Sequence, residues 1–246
     1  MARRIDLNAD LGESEAPEDI ARDIAIMDIV TSANIACGGH AGNDATMKVM
    51  LEAAAERGVA AGAHPSYPDR ANFGRVSMDI GEEDLFKSLI GQMEMLKDLA
   101  EQRAVPVCHV KPHGALYNDM VENPDLMQTI ARASRKVFPN ATLVGLAAKD
   151  MELSFIREAF IDRLYTPEGR LVPRSEAGAV VESNEERIAQ ALMLTEKGKA
   201  IASNGEEIQI DATTLCLHSD SDGALETARL VRRALEGAGI EVTAPA

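Results

Sequence analysis

The chain has 246 residues, enough for one α/β barrel or two small domains, and 46% of them are apolar, enough for a large core. Aromatics make up only 3% and Trp is absent, so Ala, Ile, Leu, Val and Met must build that core. A formal charge of −15 argues against nucleic acid or an anionic membrane as a partner.

No apolar stretch of signal-peptide type follows MARRIDLNAD, and no run approaches the ~20 apolar residues of a membrane span. The expected location is the cytoplasm. The three cysteines, Cys37, Cys108 and Cys216, form no CxxC and sit in strand-like runs, as buried small apolar residues of a reducing compartment would.

Ile5, Leu7 and Leu11 mark a first strand ending in a polar cluster of Asp6, Asn8, Asp10 and Glu13. Alternation sends Asp6, Asn8 and Asp10 to one face. A helix is predicted over Pro17–Met27, with Pro17 suited to its first turn. Ile29 to His40 reads as a buried strand entering a Gly38-Gly39 turn. The next helix spans Asp44–Arg57, with Asn43 or Asp44 as cap and Gly58 as terminator. Val59 to Ala63 is a third strand and delivers His64 into the loop PSYPDRANFGRV. That loop carries Tyr67, Asp69, Arg70 and Arg75, a mix suited to gripping a small anion. Leu85, Leu89, Met93, Leu96 and Ala100 give a long amphipathic helix over Glu82–Arg103.

Val105, Val107 and Val110 then make a short strand that runs into Lys111, Pro112, His113 and Gly114. Pro112 cannot continue the ladder and Gly114 permits a tight turn, so His113 is held between stiff neighbours. Beyond it the pattern predicts a helix at Pro124–Val137 and a strand at Ala141–Leu146. A helix at Met151–Glu158 and a strand at Ala159–Leu164 follow. Next come a loop, TPEGRLVPR, with Glu168, Arg170 and Arg174, and a helix at Asn184–Ala202 capped by Asn184. A last strand at Ile208–His218 and a helix led by Asp220 and Asp222 and reaching about Glu236 complete the chain.

This alternation calls for a parallel sheet covered by helices. About seven strands with polar groups after their C-terminal ends favour a closed or nearly closed (β/α) barrel, one domain over 1–246. A lone His beside a strand is most often structural. Here all five, His40, His64, His109, His113 and His218, lie in or after strand-like runs, which points to one polar mouth. G-x-G-x-x-G, a P-loop, G-x-S-x-G and H-E-x-x-H are all absent.

The segments DLNADLGES, NIACGGHAGN, GAHPSYPD, FGR, HVKPHGALYN, DRLYTPEGRLVPR and CLHSD occur in this order. Together they closely resemble the family of A-type 5-oxoprolinase subunits, also called the LamB/YcsF or lactam-utilisation family. The chain departs from the family's usual pattern at Gly39, Asn43, Val76, Ile161 and Ser219.

The resemblance implies a distorted, TIM-like (β/α) barrel of the glycoside hydrolase/deacetylase type. It also implies a cytoplasmic hydrolase that opens 5-oxoproline to L-glutamate with two further subunits, of B and C type, and with ATP used through the complex. The candidate catalytic residues are Asp10 or His64 as base, His113 or His40 as acid, and Lys111 as cation. Asn8, Tyr67, Arg75, Asn118 and Arg174 are the candidates for substrate binding. Three alternatives stand beside this reading. One is a metal-dependent hydrolase of deacetylase type, its ligands unassigned. Another is a paralogue acting on another lactam, and the third is a non-catalytic binding or scaffold subunit within a complex.

Overall fold

The computed structural model describes residues 3–147, 154–174, 176–217 and 223–245. The expectations placed on His218, Asp220 and Asp222, and on 151–153, lie outside the described residues.

Seven parallel strands close into a barrel. They are β1 (Arg4–Leu11), β2 (Ser32–Ala36), β3 (Ala60–His64), β4 (Val107–Val110), β5 (Thr142–Leu146), β6 (Ile156–Phe160) and β9 (Thr214–Leu217). Closure is made by β9, which pairs with β6 on one side and with β1 on the other. A two-residue strand, β10 (Glu241–Val242), extends the sheet beside the first residues of β1.

Helices α1 (Pro17–Met27), α2 (Asp44–Arg57), α3 (Glu82–Gln102), α5 (Pro124–Val137), α6 (Asn184–Lys197) and α7 (Ala224–Gly237) are joined by a short α4 (Gly114–Glu122). Pro17 and Pro124 occupy first-turn positions. Asn43 caps α2 reciprocally with Thr46, and Gly58 ends the helix at φ 65°. The side chain of Asn43 is therefore spent on the helix and plays no part in a cleft.

The alternation on β1 explains the core. Ile5, Leu7, Ala9 and Leu11 face out of the barrel and are buried in the apolar layer beneath the helices. Each fully buried Leu or Ile of this kind contributes about 1.5–3 kcal/mol. Asp6, Asn8 and Asp10 face inward. Barrel interiors are usually filled with branched apolar residues, but this one is polar and hydrogen-bonded in layers. In the lowest layer Asp6 accepts from Thr31 (2.6 Å), Ser32 (2.8 Å) and Thr214 (2.5 Å). In the next, Asn34 Nδ2 donates to Asn8 Oδ1 at 2.7 Å, and His109 Nε2 lies 2.8 Å from Asn34 Oδ1. Gly62 makes room for that imidazole: a Cβ there would stand 2.1 Å from His109 Nε2.

Four expectations are corrected. Helix α6 stops at Lys197, because Gly198 adopts a left-handed conformation. The chain beyond it forms an antiparallel hairpin of β7 (Lys199–Ile201) and β8 (Glu207–Gln209). Ser183, not Asn184, caps α6. Residues 156–158, expected to be helical, belong to β6. Finally, Cys108 is exposed, whereas Cys37 and Cys216 are buried.

Candidate active site

The C-terminal ends of the barrel strands open into a cleft of about 560 Å³. Its floor is a buried charge network. Lys111, immediately after β4, places Nζ 2.8 Å from Asp10 Oδ1 and 2.8 Å from Glu158 Oε1. Burial works against the ammonium, but Asp10, Cys216 and Glu158 outweigh it and hold the Lys111 pKa well above its ordinary value. Burial likewise opposes the Asp10 carboxylate, yet His64 and Lys111 hold its pKa well below the usual range. Both groups are charged at neutral pH.

Beside this network stand Glu13, His40, His64 and His113. Each offers one ligand atom, and the four atoms lie within 4.8 Å of one another. Each comes from a different connection. Glu13 follows β1, His40 follows β2, His64 ends β3, and His113 follows β4 as the residue preceding α4. The backbone around them is tightly specified: Gly114 has φ 57°, and a Cβ there would meet the Gly74 carbonyl at 2.5 Å.

The rings of His40 and His113 stack at 3.6 Å, and His64 stands perpendicular to both. Burial first, then the neighbouring imidazoles, pushes the His113 pKa down to about 2. Burial and His64 also hold His40 well below its ordinary value. Both rings are neutral at physiological pH. His113, the expected general acid, lines the cleft.

Of the residues expected to touch substrate, Arg75, Asn118 and Arg174 line the cleft. Tyr67 does not: it is buried, and its hydroxyl donates to Asp119 at 3.0 Å. Asn8 lies one layer below the cleft, bonded to Asn34, Thr214 and Lys111. His40 is buried behind His113, and His109 fills the barrel interior.

Several cleft residues were not among the candidates. Glu13 stood in the polar cluster after β1 but carried no spacing signal. Glu158, fully buried beneath the cleft, was hidden by the helical reading of its segment. Tyr117 projects from the unanticipated α4; burial and the Glu158 charge push its phenol well above the ordinary value, so it remains a donor. Arg163 and Arg170 join Arg174 on one wall. Burial first, then the charge of Arg174, lowers the Arg163 pKa to about 10.

A parallel (β/α) barrel with ionised groups and imidazoles gathered at the C-terminal ends of its strands has the architecture of a barrel enzyme. The chain belongs to the LamB/YcsF family, whose model matches residues 5–246. It is 44% identical over 243 residues to an A-type 5-oxoprolinase subunit of Pseudomonas syringae pv. tomato, covering 96% of this chain and 95% of the relative. It is 42% identical to an A-type 5-oxoprolinase subunit of Agrobacterium fabrum, covering 97% and 96%.

Among solved structures, a lactam utilization protein from Thermus thermophilus superposes with a TM-score of 0.90 at 38% identity, covering 98% of this chain and all of that one. A family 4 carbohydrate esterase from Streptomyces lividans shares the fold alone, with a TM-score of 0.52 at 11% identity over 98% of this chain and 91% of the other.

Proposed function

We propose that this chain is the hydrolytic subunit of an ATP-dependent 5-oxoprolinase and completes the opening of 5-oxoproline to L-glutamate. Relatives at 42–44% identity are named as A-type 5-oxoprolinase subunits. The observation that carries the reading is the Asp10–Lys111–Glu158 network on the floor of a small-molecule cleft walled by Arg75, Arg163, Arg170 and Arg174.

A lactam is an unreactive amide. Transfer of phosphate from ATP to its oxygen, made by two partner subunits of B and C type in the cytoplasm, makes the ring carbon a better electrophile. Water then adds to that carbon, the ring C–N bond breaks to leave an acyl phosphate on the freed side chain, and a second water hydrolyses that acyl phosphate to L-glutamate and inorganic phosphate. Asp10 takes the proton from the attacking water and returns it to the departing nitrogen. Lys111, permanently charged, stabilises the negative charge that develops on the oxygen. The arginine wall receives the substrate carboxylate and the phosphoryl group.

An assay of the complex that varies 5-oxoproline and ATP separately tests this. L-Glutamate release should require both compounds and this chain. Release at an undiminished rate without this chain would overturn the reading.

A further inference from the structure

We infer that Glu13, His64 and His113 form a binding site for a divalent cation of the zinc class, with His40 orienting Glu13. The tautomers are set by backbone carbonyls, which can only accept hydrogen bonds. His64 Nδ1 lies 2.7 Å from the Lys111 carbonyl and therefore donates to it, leaving a lone pair on Nε2. His113 Nε2 lies 3.0 Å from the Phe73 carbonyl and donates there, leaving a lone pair on Nδ1. Those two lone-pair nitrogens face each other at 3.0 Å. Two acceptors this close repel unless a proton or a metal ion sits between them, and the convergence of a third acceptor on the same point favours the metal ion.

Glu13 Oε1 is the third acceptor, 3.3 Å from His113 Nδ1 and 3.8 Å from His64 Nε2. Zinc bonds of about 2.0–2.1 Å at tetrahedral angles place ligand atoms about 3.4 Å apart. The observed separations of 3.0, 3.3 and 3.8 Å straddle that value. The imidazole planes of His64 and His113 are 89° apart, so both lone pairs can meet at one point.

His40 is excluded as a ligand by geometry. Its ring is parallel to His113 within 5°, so an ion in the plane of His113 lies well out of the plane of the His40 lone pairs. His40 Nε2 instead lies 2.9 Å from Glu13 Oε1 and steadies the carboxylate, as partners of metal ligands do.

Two imidazoles and one carboxylate suit zinc and leave a position open for water or substrate. The three ligands line the cleft, and Asp10 Oδ2 lies 3.4 Å from His64 Nε2. A cation held there would polarise an amide oxygen or acidify a water beside Asp10. That use in ring opening rests on the function proposed above; the binding itself does not.

The test is titration of the chelator-treated full chain with Co²⁺, read by its visible absorption, and with Zn²⁺, read by calorimetry, both without substrate. One equivalent should bind. Glu13→Gln and His64→Gln should each weaken binding by more than about 100-fold, and His40→Gln by about 10- to 100-fold, the range for a residue supporting a ligand. Failure of the wild-type chain to take up either ion stoichiometrically would overturn the inference. So would a Glu13→Gln/His64→Gln chain that keeps its near-UV dichroism and holds the ion as tightly as wild type. Ion uptake without 5-oxoproline opening by the complex would refute the proposed function and leave the site standing. Ring opening by a chain that takes up no ion would do the reverse.

Discussion

Lys111 Nζ lies 2.8 Å from Glu158 Oε1, and Glu158 has no solvent exposure at all. Taking a carboxylate and an ammonium out of water costs several kcal/mol per ion, and only close pairing repays it. The second partner of Lys111, Asp10 at 2.8 Å, completes a charge group whose members depend on one another.

Lys111→Met should therefore destabilise the fold by about 3–5 kcal/mol, because it leaves two carboxylates facing each other without a cation. Adding Glu158→Leu should recover most of that loss, since a well-packed apolar replacement of a buried pair is often neutral. Urea unfolding of the single and double variants checks this. A double variant as unstable as the single one would show that Glu158 is held by something other than Lys111.

Stability should fall in acid through His109. Burial, then the charges of Lys111 and His64, lowers its pKa to about 4, below the ordinary value of 6.5. A depressed imidazole means that the unfolded chain binds the proton first. The contribution is complete above pH ~6.5 and is lost as pH falls towards ~4, at about 1.4 kcal/mol per pH unit. His109→Gln should reduce the slope of unfolding free energy against pH by about that amount in this window. An unchanged slope would show that His109 titrates normally.

Gly62→Ala should destabilise the barrel by about 1–3 kcal/mol or more, through overpacking. The added methyl would sit 2.1 Å from His109 Nε2, inside a closed sheet where neither partner can move far. Gly58→Ala makes a useful contrast, because a Cβ there meets nothing within 4 Å and the only strain is its φ of 65°. Melting curves of the two variants should separate, with Gly62→Ala lower. Equal melting temperatures would place the His109 ring elsewhere.

The arginine wall predicts a selective binding defect. Arg174→Ala should raise KM for 5-oxoproline by about 10- to 100-fold, the scale of a hydrogen bond to a charged group. The neutral ring 2-pyrrolidone should be little affected. Arg170 pairs with Glu122 at 2.6 Å on an exposed rim, so Arg170→Ala should change stability by no more than about 1 kcal/mol. An Arg174→Ala chain with unchanged KM would remove the carboxylate from this wall.

The sequence made some parts of this molecule legible and hid others for physical reasons. Helices α1, α2 and α5 could be bounded because Pro17, Asn43, Gly58 and Pro124 are local punctuation, and capping acts within a turn. Helix α4 was hidden because it begins at Gly114, a residue that in isolation signals a turn.

Strand β6 was misread because Arg157 and Glu158 look like a solvated helix face. Only the ammonium of Lys111, contributed from another strand, makes a carboxylate acceptable there. Among the site residues, those at strand ends were visible: Asp10, His64, Lys111 and His113. Glu13 was not, because it reaches the cluster through a loop whose path depends on the whole barrel. Tyr67 lies off the cleft lining, and nothing local in the sequence reveals that Asp119 accepts from its hydroxyl.

The most direct test of the central claim is single-turnover release of L-glutamate from 5-oxoproline and ATP by the complex carrying the Lys111→Met/Glu158→Leu chain. The account predicts a folded chain that assembles with its partners and releases L-glutamate about 10²- to 10³-fold more slowly than wild type, the usual loss when a group stabilising a developing oxyanion is removed. Release at the wild-type rate from that complex would contradict it.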